Sequence, residues 1–360
     1  MTPDPLTLAQ RLARQIDSGG PISIAHYMAE ANGHYYGGRD PLGQDGDFTT
    51  APEISQMFGE LVGLCLADMW MRSGRRPQPL YVELGPGRGT LAADALRAME
   101  GAALAPRMHF VETSPVLRER QRALLPHVTH HDDIDSLPEE GPLLVVANEF
   151  FDALPIRQLV RAGGEWRERV VIARTDEDGT IRFLPVPGYR RIESGIPDIA
   201  ARAEEGTILE TAPASATIAL MLAKRIARQG GGAILIDYGY EGPAIGDTLQ
   251  AVRGHRFADP FVEPGESDLT AHIDFTLLGN MARQAGLRVL GPVGQGAFLR
   301  QLGIDVRAAQ LAKTSPARAD EIEIARKRLT DPDQMGSLFK AMAIVHPDWA
   351  EPAGFEGDVG

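Results

Sequence analysis

The sequence predicts an α/β fold, a doubly wound and mostly parallel sheet with helices on both faces. Three observations predict it. From Leu80 onward, strand-like and helix-like segments alternate, the pattern that builds parallel sheets through crossover helices. Two strand-like segments, Leu143–Ala147 (LLVVA) and Ala233–Asp237 (AILID), are continuous apolar runs, as strands covered on both faces require. Between the first strand and the first helix of the series stands "ELGPGRGT", with glycines at 85, 87 and 89. In open α/β sheets a ligand binds at that point, outside the carboxyl ends of the strands.

Taken in order, the chain opens on a helical segment with Leu6, Leu8, Leu12 and Ile16 on one apolar face, stopped by Gly19–Gly20. Asn32 to Thr50 (NGHYYGGRDPLGQDGDFTT) reads as a polar, glycine-rich loop. Thr50-Ala-Pro-Glu53 reads as a capping box with proline in the first turn. The helix it opens buries Ile54, Met57, Phe58, Leu61, Cys65 and Trp70. Leu80–Leu84, Met108–Glu112 and Val128–His130 read as strands, with helices at Thr90–Met99 and Val116–Leu125 between them. Glu165–Arg174 and Thr180–Val186 read as a pair of strands turning at Asp176–Gly179. A helix from about Ser215 to Gln229 leads back to the strand at Ala233. Arg318–Leu329 and Met335–Ile344 read as C-terminal helices, and the acidic, Pro/Gly-rich stretch Asp348–Gly360 as a poorly ordered tail. The expected organisation is an N-terminal helical extension and lid over 1–78 and a ligand-binding domain over 79–300. That domain carries a β-rich insertion at about 157–212 and a loop insertion at about 240–275, and 301–360 forms a helical segment and tail.

Composition removes several function classes. A net charge of −13 argues against nucleic acid as the main partner, because phosphates demand a basic face. No apolar run is long enough to span a bilayer, so no membrane insertion is expected. Residues 1–20 lack the apolar centre of a secretion signal; Arg11 and Arg14 lie on an amphipathic pattern, but Asp4 and Asp17 argue against a transit peptide. A single cysteine excludes an internal disulfide and a cysteine-based zinc site, and Cys65 reads as core rather than reactive thiol. A cytoplasmic, bacterial placement follows, with monomer and homodimer both open.

The glycine turn narrows the ligand. A dinucleotide loop reads G-x-G-x-x-G, yet Thr90 stands where the last glycine belongs. No Lys-Ser/Thr pair follows, which excludes a P-loop. Acids recur at the strand ends: Glu83, then Glu112, placed to grip ribose hydroxyls, then Asp132 and Asp133, with Asp132 expected beside an adenine ring. S-adenosylmethionine (SAM) has a ribose, no phosphate, and a positive sulfonium and ammonium. A cradle of carboxylates and bare backbone suits it better than it suits a pyrophosphate. The plain alternative is an ordinary strand-to-helix turn with solvated carboxylates. His130–His131 does not read as a metal site, because adjacent residues of a strand point to opposite sides.

The segments "YMAEANGHYYGGRDPLGQDGDFTTAPEISQMFGE", "VELGPGRGTLAADAL", "VETSPVLRERQ", "NEFFDALP", "LIDYGY" and "GESDLTAHIDF" together resemble the MidA-like family of SAM-dependent methyltransferases. The mitochondrial member of that family is a complex I assembly factor described as a protein arginine methyltransferase. The resemblance implies a class I methyltransferase fold, Rossmann-like with a mostly parallel seven-stranded sheet. It also implies SAM as cofactor at Gly85–Gly89 and Glu112. The candidate cofactor set is Glu83, Gly85, Pro86, Gly87, Gly89, Glu112, Thr113, Asp132 and Asp133.

Methyl transfer needs alignment above all, so no covalent protein intermediate is expected. Asn148, Glu149 and Asp152 in "NEFFDALP" are the catalytic candidates, the two acids as a bidentate hold on an arginine guanidinium. The plain reading makes Asp152 a helix cap and Phe150 and Phe151 core. Asp47, Thr49, Thr50 and Glu53 are lid candidates, Glu53 otherwise serving the capping box. Tyr238, Asp268 and His272 are candidates for the substrate side, although Tyr238 also reads as packing and Asp268-Leu-Thr-Ala as a helix start. The expected activity is methylation of a protein, with arginine of a complex I subunit foremost. The alternatives are a non-catalytic SAM-binding assembly factor and a nicotinamide-dependent oxidoreductase.

Overall fold

A computed structural model of the chain describes residues 6–38, 50–254 and 256–356. Its main sheet contains, in chain order, β1 Leu80–Leu84, β2 Arg107–Val111, β3 Thr129–His131, β4 Leu143–Asn148, β5 Gly231–Tyr240, β6 Arg288–Gly294 and β7 Phe339–Val345. Across the sheet they lie β3-β2-β1-β4-β5-β7-β6. The five strands from β3 to β5 are parallel to one another, and β7 runs against both of its neighbours, β5 and β6. The chain lays β1, β2 and β3 outward in one direction, then returns to the opposite side of β1 with β4. Connections therefore diverge between β1 and β4, which opens a crevice at their carboxyl ends.

The helices are α1 Leu8–Gly19, α2 Ile24–Gly38, α3 Ala51–Ile54, α4 Gln56–Arg72, α5 Thr90–Gly101, α6 Pro115–Leu124, α7 Pro213–Gln229, α8 Phe275–Gln284, α9 Gln295–Gln301, α10 Ile304–Thr314, α11 Ala319–Thr330 and α12 Met335–Leu338. The period-two alternation of each strand decides what they cover. Tyr81, Leu144, Val146, Ile234 and Ile236 point to one face and join a core with α4 and α5. Leu80, Val82, Val145 and Leu235 point to the other and meet α7 and α8. Beside this unit, strands 157–162, 165–175, 181–191 and 208–211 pair antiparallel into a second sheet. The N-terminal helices pack against it: Leu8, Leu12, Tyr27 and Met28 share a core with Val171 and Phe183.

Several sequence expectations need correction. The stretch read as loop from Asn32 is helical to Gly38. The capping box at Thr50–Glu53 does not form: Thr50 makes no side-chain cap bond, and α3 stops after one turn at Ser55. Ser55 is extended, and its hydroxyl instead accepts from the Met57 amide to cap α4. Asp268–Thr270 is a buried strand, paired with Gln250–Val252, rather than a helix start. The helix expected over 335–344 yields after one turn to β7. There Ala341 and Ala343 enter one core and Met342 and Ile344 the other. Pairing on both edges and burial on both faces override the helical preference of Ala and Met. The tail is not loose through residue 356 either, because Trp349 and Phe355 are buried in the main core and Phe355 packs 5.1 Å from Phe298.

Candidate functional site

At the carboxyl ends of β1, β2, β4 and β5 lies a cavity of about 840 Å³, near the upper end for small-molecule sites. Its floor begins with the glycine turn. Gly85, Gly87 and Gly89 have φ of +60°, +54° and +84°, the left-handed region that suits glycine. A Cβ on Gly85 would stand 2.8 Å from the Phe150 ring. Gly85, Pro86 and Gly87 line the cavity, while Gly89 sits behind them as the N-cap of α5. Two acids flank the turn. Glu83 is buried and accepts the Tyr81 hydroxyl proton at 2.6 Å; burial pushes its pKa up to about 8 against that bond. Glu112, just past β2, accepts from the Ser114 amide at 2.7 Å, and burial raises its pKa also. Gln121 of α6, buried and unanticipated, donates to the Gly87 carbonyl at 2.6 Å and approaches Glu112 at 3.4 Å. It thereby ties the acid to the turn.

The second wall follows β4. Glu149 has φ +49°, a conformation that costs a non-glycine residue energy. Its Oε1 accepts from the Ala51 amide and the Asn148 side-chain amide, both at 3.1 Å. The first of these bonds fixes α3 over the cavity. Burial, then the Asp152 charge, push the Glu149 pKa up to about 7. Asp152 is buried with no helix behind it, and its backbone amide donates to Asp237 of β5 at 3.2 Å. Asp237 also accepts from Phe151 and Tyr238, and burial followed by the neighbouring Asp152 and Glu149 charges raises its pKa. The Oδ1 of Asn148 is buried without a partner among the described residues. Such an acceptor costs free energy until a ligand supplies a donor.

The remaining walls come from distant segments. Tyr36 of α2 donates to Asp268 at 2.8 Å, and its carbonyl is held by the Ser114 hydroxyl at 2.7 Å. Tyr238 stacks edge-on to His272, 5.2 Å between centroids. Glu53 takes the Thr90 hydroxyl at 2.5 Å and lies 3.9 Å from Arg88, which explains why it is not free to cap α3. Thr50, Glu53, Thr113, Tyr238, Asp268 and His272 all line the same cavity as Asn148, Glu149 and Asp152. Asp132 and Asp133 do not: Asp132 is exposed and paired with Arg118 at 2.6 Å, and Asp133 accepts from the Ser136 amide. Asp47 and Thr49 lie outside the described residues. His130 and His131 diverge as expected, to Gln121 at 2.8 Å and His109 at 2.9 Å. No group of metal-ligating side chains is present among the described residues. Tyr36, Asn32, Thr270, Gln250 and Arg328 also line the cavity and were not anticipated. For Tyr36 and Asn32 the available signal was their place in the segment read as a glycine-rich loop.

Fold and site define a class I SAM-dependent methyltransferase: a sheet with one reversed strand, a glycine turn after β1 and an acid after β2. Residues 61–293 match the family model described as "Putative S-adenosyl-L-methionine-dependent methyltransferase", and the chain belongs to that family, with SAM as cofactor. The chain is 38% identical to the mitochondrial protein arginine methyltransferase NDUFAF7 homolog of Drosophila melanogaster, covering 94% of this chain and 84% of the relative. To the mitochondrial NDUFAF7 protein arginine methyltransferase of Homo sapiens it is 34% identical, with 95% and 84% covered. Its fold matches a crystal structure of a methyltransferase-type superfamily protein from Burkholderia thailandensis bound to S-adenosylhomocysteine. The TM-score there is 0.79 at 30% identity, over 97% of this chain and 92% of that one. The cytoplasmic placement expected from the sequence is overturned by the curated relatives, which are named mitochondrial. Among the described residues, no helix is long and apolar enough to cross a membrane.

Proposed function

We propose that this protein transfers a methyl group from SAM to an arginine guanidinium of a protein, a respiratory complex I subunit or one like it. One observation carries the reading: Glu149, Asp152 and Asp268 converge on the cavity beside the glycine turn. A planar cation with several donors is the acceptor that such carboxylates hold best. The names of the relatives, protein arginine methyltransferases, support it.

The residues present fit the cofactor. Glu112 would hold the ribose hydroxyls, and Glu83, the backbone of Gly85–Gly87 and Thr113, which line the same cavity, would hold the rest of the cofactor. Gly89 serves this half of the site indirectly, as the N-cap of α5, whereas Asp132 and Asp133 lie outside it. When bound, SAM supplies an electrophilic methyl on a sulfonium. Glu149 and Asp152 orient the guanidinium, and Asp237 holds the Asp152 backbone in place. The open Oδ1 of Asn148 accepts an N–H from a ligand. Glu149 accepts the proton that the nitrogen loses, as a carboxylate with a pKa near 7 can do. Tyr238, Asp268 and His272 form the acceptor side, and Thr50 and Glu53 belong to the segment that covers it. The test is incubation with methyl-labelled SAM and protein from cells lacking this chain. A discrete band carrying methylarginine is expected. Absence of label while S-adenosylhomocysteine demonstrably binds overturns the proposal.

A further inference from the structure

The mouth of the cavity differs in character from its floor. Of the large hydrophobic side chains that stand exposed, Phe257 (80% exposed) and Leu338 (50%) both line the cavity; an exposed lining residue must sit where the cavity meets solvent. Arg328 lines it too and is exposed. It follows two basic residues on α11 that are already engaged. Arg326 pairs with Glu323 at 2.7 Å and Asp305 at 3.1 Å, and Lys327 reaches Glu323 at 3.7 Å. Arg328 has no hydrogen-bonding or ion-pair partner among the described residues, and its charge is felt at Glu149, where it lowers proton affinity.

A cation with no partner among the described residues, at the entrance of a site built for a cation, repels the very group it admits unless the incoming segment brings an anion for it. We infer that Arg328, with Phe257 and Leu338, is a specificity device that selects acceptor segments carrying an acidic side chain and an apolar one close to the methylated arginine. The inference rests on the arginine-acceptor reading above and deepens it. The floor takes the guanidinium, the apolar rim takes the neighbouring side chain, and Arg328 takes the carboxylate.

The test is a charge-swap series on the full chain. Three peptides differ only in having Glu, Gln or Lys two or three residues from a single arginine. Each is measured for kcat/KM with SAM, and for affinity to protein loaded with S-adenosylhomocysteine. For the unaltered chain, the Glu peptide is expected to exceed the Lys peptide by about tenfold, less at high salt. With Arg328→Glu the order reverses, while S-adenosylhomocysteine affinity stays the same and reports an intact fold. Phe257→Ser raises KM for all three peptides without lowering kcat. An order that survives Arg328→Glu, or peptide binding that ignores the charge or is absent, overturns the inference. Methylarginine formation in cellular protein that ignores flanking acids sinks this inference alone, whereas failure to form methylarginine at all sinks the parent reading.

Discussion

Glu149 joins three features that rarely meet by accident: a left-handed backbone, a raised pKa, and bonds that hold both α3 and Asn148. Backbone strain of this kind persists where surrounding structure over-determines it, which is common at working sites. Glu149→Gln keeps the shape but removes the base. It should lower the methylation rate about 100-fold or more and leave S-adenosylhomocysteine affinity nearly unchanged, as calorimetry would check. The acid limb of the kcat/KM profile should fall as pH drops through about 7, where Glu149 takes up its proton. Glu83 acts on stability in the opposite direction from a salt-bridged acid. Its folded pKa, about 8, lies above its ordinary value of 4.5, so the folded chain binds that proton more tightly. The stabilisation is full below about 4.5 and is lost as pH rises through about 8. Melting temperature of the ligand-free protein should therefore decline between pH 5 and 8, and Glu83→Gln should flatten that decline. Equal slopes in both proteins would count against a buried, proton-holding Glu83.

At the scale of elements, the close crossing of α4 on α5 sets where the glycine turn lies, because α5 begins at that turn. Gly59 and Gly63 make the crossing possible. A Cβ on Gly63 would fall 2.5 Å from the Ala95 carbonyl oxygen, and one on Gly59 would fall 2.7 Å from the Asp94 Cβ. Neither obstacle is the end of a flexible side chain. Gly63→Val should destabilise the protein by about 3 kcal/mol or more, read by denaturant unfolding, and weaken S-adenosylhomocysteine binding through displacement of α5. The strands of this region were legible from their apolar runs, since burial on both faces leaves a plain mark in the residues. β7 was not, because FKAMAIV has no strand-only signature until β5 and β6 stand on either side of it. The same holds for Asp268–Thr270, whose polar ends read as a cap and whose burial is decided by Gln250–Val252.

For the whole molecule, the site is closed by segments from both ends of the chain. Tyr36 and Asn32 come from the N-terminal helices, and Arg328, Met335 and Leu338 from the C-terminal ones. The C-terminal arm is anchored beyond the last strand by Trp349 and Phe355. Trp349→Ala should cost about 3 kcal/mol, with the loss visible in thermal unfolding. If it left stability untouched, the arm would not be part of the core. The sequence by itself determined the parallel sheet, the glycine turn, the strand-end acids Glu83 and Glu112, and the cluster after β4. Each of these is a local arrangement in which residue type answers to its immediate backbone or strand. Only the tertiary structure decided that Tyr36 meets Asp268, that Glu53 serves Thr90 rather than its own helix, and that Asp132 stands clear of the cavity. It also placed Arg328 at the entrance. Those outcomes depend on segments far apart in the chain arriving at one place, and burial and hydrogen-bond satisfaction, which fix the arrival, exist only once the whole chain has packed.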